Sequence, residues 1–282
     1  MNNPLFTTAY SATLQAGHRI LEIYGSDFTA MEKADRSPLT EADLAAHELL
    51  VHALGQTGLP VLSEESAEIP YAERSAWTRF WLVDPLDGTK EFIKRNGEFT
   101  VNVALIDQSE PILGLVYAPV LDVLYLGWTA RFDPSPAAWR LTDPDPACPV
   151  FSGPRATLLP DPALARGAGP LRVVASRSHL TGETRSYIEQ LEQAHGPASL
   201  VSKGSSLKLC MVAEGAADVY PRLAPTMEWD TAAGQAVVEA AGGAVVVYDA
   251  QSTIPESAPL RYNRENLLNP FFVVASADFR FA

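Results

Sequence analysis

Trp81-Leu-Val-Asp84-Pro85-Leu86-Asp87-Gly88-Thr89-Lys90-Glu91-Phe92 carries the strongest information in the chain. Its apolar start reads as a buried strand that ends at Asp84, because Pro85 has no N–H to continue a sheet ladder. Asp87, Gly88 and Thr89 then turn into a short helix, whose first amides suit a phosphate. Two carboxylates flanking a Pro turn can converge on hard cations, with Leu86 offering only its backbone carbonyl. Read alone, D-P-x-D-G describes an Asx-rich turn equally well.

Upstream, residues 4–25 show the apolar spacing of an amphipathic helix, and 39–54 that of a second. Thr40 and Asp43 have the spacing of a capping box. PVLS at 60–63 reads as a short strand, and Glu64 and Glu65 follow it. Downstream, FTVNVALID, ILGLVYAP and VLYLGWTA read as strands, so helices on a largely antiparallel sheet are expected. The stretch 131–170 holds nine of the 22 prolines. It is expected to be a long connection with one short strand at 138–141, since Pro interrupts regular structure. From residue 171 onward strands and helices alternate, as in an α/β layer. A helix from about Asp230 to Ala241 can stop at Gly242 and Gly243. On its own, Asp230 suits an N-cap as well as a ligand.

The chain has 282 residues and a formal net charge of −13. Bulk charge therefore excludes a binder of nucleic-acid polymers or anionic membranes, which attract Lys and Arg. A small polyanion stays possible if metal ions or a few cations reverse the charge locally. Two cysteines make no disulfide framework and fit a reduced compartment. No N-terminal signal and no transmembrane segment is read. Two halves, 1–150 and 151–282, are expected to form one catalytic unit, the second carrying Asp230. The five histidines are scattered, so an oxygen-only cation site is favoured over zinc.

Taken together, the motifs closely resemble the inositol monophosphatase-like superfamily of Mg2+-dependent, lithium-sensitive phosphatases. WLVDPLDGT at 81–89 and EWDTAAGQAVVEAAGG at 228–243 match its two signatures, with LSEES at 62–66 in the expected place. Lys90-Glu91-Phe92, the Ser176–His179 and Gly204–Lys208 runs, Asp218–Arg222 and Tyr262–Pro270 resemble the CysQ-type 3′(2′),5′-bisphosphate nucleotidase branch. The resemblance implies a mixed α/β fold, a layered αβαβα sandwich. It implies that Glu64, Asp84, Asp87, Asp230 and the Leu86 carbonyl hold two or three Mg2+ ions. It makes Thr89, hydrogen-bonded to Asp43 and assisted by Glu64, the group that orients and deprotonates water. Gly88, Thr89, His179, Ser205, Lys208, Arg222 and Asp230 would contact the substrate.

The implied reaction is removal of the 3′-phosphate of adenosine 3′,5′-bisphosphate, or of its 5′-phosphosulfate form, in sulfate assimilation. The implied setting is cytoplasmic, with peripheral membrane attachment open, as a monomer or homodimer. A relative acting on inositol or sugar phosphates is the nearest alternative. A non-catalytic metal and nucleotide sensor is the second. A docking role for the Pro-rich stretch is a third, although it carries no recognised binding pattern.

Overall fold

The computed structural model describes residues 3–26, 30–32, 38–66, 68–175, 181–248 and 258–281. The first part runs α1 (Pro4–Tyr24), β1 (Ala30–Glu32), β2 (Pro38–Thr40), α2 (Glu41–Gly55), β3 (Val61–Ser63) and α3 (Tyr71–Arg74). It continues with β4 (Arg79–Asp87), α4 (Thr89–Ile93), β5 (Thr100–Asp107), β6 (Glu110–Ala118), β7 (Val123–Trp128), β8 (Ala137–Thr142) and β9 (Ala156–Leu158). The rest is β10 (Leu171–Val174), α5 (Gly182–His195), β11 (Ala198–Val201), α6 (Leu207–Glu214), β12 (Val219–Arg222), α7 (Ala232–Ala240), β13 (Ala244–Val247) and β14 (Phe272–Ala275).

Local sequence explains the helix starts. Asn3 accepts from the Leu5 amide at 3.0 Å, and Pro4 occupies the first helical turn, where its missing N–H costs nothing. The capping box of α2 forms as expected: the Thr40 amide donates to Asp43 Oδ2 at 2.7 Å.

Seven strands form one sheet in the order β3-β4-β5-β6-β7-β8-β9, and five form another, β11-β10-β12-β14-β13. Only the β3–β4 pair of the first sheet is parallel. Side chains alternate between faces along each strand. Trp81, Val83, Val101, Val103 and Leu105 therefore pack on α1 and α2, and Phe80, Leu82, Ala104 and Ile106 face the opposite way, into the core shared with α6 and α7. The second sheet covers the far side of α6 and α7, and α5 packs on its outer face. The order of layers is helix, sheet, helix, sheet, helix, as the resemblance implied.

Two paired glycines bring α7 down onto the first sheet. Gly114 of β6 lies opposite Gly127 of β7. A Cβ at Gly114 would sit 2.1 Å from the Ala233 carbonyl oxygen, and one at Gly127 2.8 Å from Val237 Cα. Neither position has room for a side chain, so the helix behind Asp230 rests against bare backbone.

The 131–170 stretch is more ordered than expected. β8 and β9 both occur there, and each extends the first sheet by antiparallel pairing. The prolines stand outside these strands rather than within them, so they cost no ladder hydrogen bond. The expected division at residue 150 falls inside this stretch, before a strand that still belongs to the first sheet. Among the described residues, no helix is long and apolar enough to cross a membrane.

Candidate active site

β4 does not stop at Asp84. It runs to Asp87 through a register shift, with Asp84 opposite Asn102 and Asp87 opposite Thr100. A bulge adds one residue to one strand. Asn102 and Thr100 are two apart and share a face, so their partners Asp84 and Asp87, three apart, also share that face. Without the bulge the two carboxylates would point to opposite sides of the sheet. Pro85, expected to end the strand, is tolerated because it lies in the bulge.

Gly88 follows with φ +96°, a left-handed turn that favours glycine. It starts α4 at Thr89. The Thr89 hydroxyl donates to Asp43 Oδ1 at 3.2 Å and lies 3.4 Å from the Leu86 carbonyl oxygen. The other oxygen of Asp43 is engaged by Thr40, through its amide at 2.7 Å and its hydroxyl at 2.5 Å. One carboxylate thus caps α2 and holds Thr89 at once.

Asp230 comes from the far part of the chain. The helix expected from about Asp230 starts at Ala232, and Asp230 itself ends a preceding 3₁₀ turn (Glu228–Asp230). Asp230 Oδ2 accepts from the Met227 amide at 2.8 Å, so it caps that turn and not α7. Glu228 is fully buried and accepts from the amides of Asn263 and Arg264, at 2.6 and 3.1 Å. This fixes the turn that presents Asp230.

Carboxylate oxygens of Asp84, Asp87 and Asp230 lie within 4.8 Å of one another. Asp84 is 1% exposed. Burial pushes its carboxyl well above the usual carboxylate range, and the nearby charges of Glu64, Asp87, Asp230 and Asp43 push it further. Asp230 is raised to about 8, first by burial and then by Asp87, while Arg222 acts the other way. Glu64 sits in the 3₁₀ turn after β3, near enough to act on both. Like charges gathered out of water are unfavourable unless protonated or offset by a cation. An all-oxygen set of this kind suits a hard divalent ion.

A cleft of about 180 Å³ opens over these groups, lined by Asp87, Gly88, Ser205, Lys208, Arg222 and Asp230 among others. The two cations come from α6 and the end of β12. Arg222 donates to the Pro225 carbonyl at 3.0 Å, and its buried Nε has no partner among the described residues. Ser205, expected at the substrate, turns its hydroxyl to Asp87 at 2.6 Å and to Thr100 at 2.6 Å. His179 lies outside the described residues.

A larger cavity, about 410 Å³, lies at the other ends of β10 and β12, lined by Arg166, Arg172 and Asp218 among others. Its two arginines pair with Asp218, at 3.4 and 2.8 Å, so the uncompensated charge belongs to the smaller cleft.

Sequence reading missed Thr100, Asn102 and Ser206, which are buried around Asp87. The available signal was the polar T-x-N interrupting the apolar run of β5. It also missed that His47 of α2 contacts Ser63 next to Glu64, at 2.9 Å.

The inositol monophosphatase family model matches residues 1–272. The chain is 46% identical over 265 residues to the 3′(2′),5′-bisphosphate nucleotidase CysQ of Escherichia coli (strain K12), covering 92% of this chain and 95% of that one. The CysQ nucleotidase of Salmonella typhimurium is 45% identical over 263 residues, covering 92% and 94%. The crystal structure of CysQ from Bacteroides thetaiotaomicron, a bacterial member of the inositol monophosphatase family, matches with a TM-score of 0.80 and 47% identity, covering 96% and 97% of the two chains. With the family match over residues 1–272 and this identity and fold similarity along nearly the whole length, the chain belongs to the inositol monophosphatase family.

Proposed function

We propose that the protein is a Mg2+-dependent 3′(2′),5′-bisphosphate nucleotidase that hydrolyses the 3′-phosphate of adenosine 3′,5′-bisphosphate, and of its 5′-phosphosulfate form. With the bisphosphate the products are AMP and inorganic phosphate. The observation that carries this reading is one cleft in which a tight carboxylate cluster faces two cations, Lys208 and Arg222. A substrate with two phosphates has a use for both ends of that cleft.

Asp84, Asp87, Asp230, Glu64 and the Leu86 carbonyl would hold two or three Mg2+ ions. Bound divalent cations supply charge to offset a phosphate dianion and make water more acidic. The chain's own residues do the rest. The Thr89 proton is committed to Asp43, so the Thr89 oxygen is free to accept a proton from the attacking water. A threonine is too weak a base near neutral pH to act alone; its role is to orient water and to pass a proton toward Asp43, with Glu64 assisting. The amides of Gly88 and Thr89 face the scissile phosphate. Lys208 and Arg222 hold the second phosphate, with His179 at the nucleotide and Ser205 holding Asp87. The reading includes a cytoplasmic site of action and a monomer or homodimer.

Phosphate release should be measured on adenosine 3′,5′-bisphosphate, its 5′-phosphosulfate form, inositol 1-phosphate and fructose 1,6-bisphosphate. The expected result is the highest kcat/KM on the adenosine compounds, with loss of activity in Asp87→Asn. A higher kcat/KM on inositol 1-phosphate would move the protein to the inositol phosphatases. Release from none of them would make it a binding protein.

A further inference from the structure

The carboxylate of Asp87 is held from one side. Among the described residues, its hydrogen bonds all fall on Oδ2. Ser205 Oγ donates at 2.6 Å, the Ser206 amide at 2.7 Å and Asn102 Nδ2 at 3.4 Å, and Ser206 Oγ lies 2.8 Å away. Behind them stand two residues of β5. Thr100 Oγ1 lies 2.6 Å from Ser205 Oγ and 2.9 Å from Asn102 Oδ1, with one proton for the two. Asn102 Nδ2 also donates to Ser206 Oγ at 2.9 Å, and that hydroxyl reaches the Asp230 carbonyl at 2.8 Å.

The network has a direction. A carboxylate and a carbonyl can only accept. Ser205 must therefore point its proton at Asp87, while Ser206 gives its amide proton to Asp87 and its single hydroxyl proton to either Asp87 Oδ2 or the Asp230 carbonyl. Ser205 is then left to accept from Thr100, and Ser206 from Asn102. Thr100 is 0% exposed and Asn102 1%. Polar groups buried so deeply in a strand whose neighbours are Val101, Val103 and Ala104 cost free energy unless hydrogen-bonded. Valine and leucine of similar size would fill the same space. The polar pair stands exactly opposite the two aspartates across the β4 bulge, Asn102 facing Asp84 and Thr100 facing Asp87.

We propose that Thr100 and Asn102 are positioning residues for Asp87. Through Ser205 and Ser206 they saturate Oδ2 and leave Oδ1 to the divalent cation. They also tie Asp87, on the first sheet, to the backbone of Asp230, which arrives with α7. β5 thus belongs to the active site without contributing a ligand. The inference rests on the metal-site reading above and adds residues that this reading does not use.

The test is the unfolding temperature of chelator-stripped protein titrated with MgCl2, for wild type, Thr100→Val, Asn102→Leu and Thr100→Ser. The Mg2+ concentration giving half the maximal rise should increase about tenfold or more in Thr100→Val and Asn102→Leu, the range seen when partners of metal ligands are removed. Thr100→Ser keeps the hydroxyl and should match wild type. Should Asn102→Leu fail to fold, the comparison of Thr100→Val with Thr100→Ser decides. Folded Thr100→Val and Asn102→Leu proteins with wild-type midpoints overturn the positioning role and leave the metal site standing. A Thr100→Ser midpoint displaced like that of Thr100→Val overturns it too, since packing would then be the cause. A wild type that Mg2+ does not stabilise removes the metal site, and this inference with it.

Discussion

Asp84 shares its surroundings with Glu64, Asp87, Asp230 and Asp43, and burial has removed the water that would separate them. Its carboxyl and that of Asp230 both lie above the ordinary carboxylate range, Asp230 at about 8. In metal-free protein these groups therefore bind a proton more tightly when folded than when unfolded. That contribution to stability is complete below the ordinary carboxylate pKa of about 4 and is lost as pH rises through the folded values. The unfolding temperature of chelated protein should fall between about pH 5 and pH 9, and Mg2+ should reduce the fall. A flat profile in chelator would show that the cluster is not strained without a cation. At Thr89 the expectation concerns rate. Thr89→Val keeps the volume and loses the hydroxyl that faces Asp43. It should lower kcat by about 10²–10⁴-fold, the usual range for a group moving a proton, with KM little changed. A loss confined to KM would make Thr89 a binding residue only.

Strand and helix patterns were readable wherever burial followed one period. The 3.6-residue spacing of 4–25 and the apolar runs of β4 to β7 correspond to elements within a few residues of their expected bounds. Three features were not legible in this way. The β4 bulge depends on pairing with β5, which a single strand's sequence does not contain. The break between the 3₁₀ turn and α7 depends on Asn263 and Arg264 capturing Glu228. β9 was obscured by flanking prolines, and pairing with β8, the short strand expected at 138–141, stabilises it. Contact of α7 with the sheet gives a prediction at this scale. Gly114→Ala places a methyl group against the Ala233 carbonyl, so α7 must lift. Overpacking of this kind costs about 1–3 kcal/mol. Denaturant unfolding should show that loss, and Mg2+ should bind more weakly because Asp230 moves with the helix. An unchanged Mg2+ midpoint would mean that the 3₁₀ turn holds Asp230 independently of α7.

For the molecule as a whole, the candidate site is a junction. Asp84 and Asp87 arrive on the first sheet, Arg222 on the second, Asp230 ahead of α7 and Lys208 on α6 between them. Glu98 adds a tie across the same seam, accepting from the Gly204 amide at 2.8 Å and pairing with Lys203 at 3.2 Å. A cation bound here should stabilise both sheets together. At a Mg2+ concentration one hundred times its Kd, the gain is about 2.7 kcal/mol for one site. Calorimetry should show a single transition moving upward with Mg2+. Two transitions with only the earlier one moving would mean that the sheets unfold separately. The chain's net charge is −13, and the acidic cluster at this seam would repel phosphate unless a bound cation reversed its charge.

The amino-acid sequence by itself determined most of the strands and helices and their order, the capping of α2 by Thr40 and Asp43, and the candidate acids. Local spacing and signature motifs carry that information, because a turn, a cap or an amphipathic face involves residues close along the chain. Tertiary structure alone decided which acids meet, that Asp84 and Asp87 face the same way, and that Thr100 and Asn102 stand behind them. Those outcomes depend on register across strands and on the depth to which α7 packs. Register joins separate elements, as Asp84 with Asn102, and packing joins residues more than a hundred positions apart, such as Asn102 and Ser206, so no local pattern encodes either.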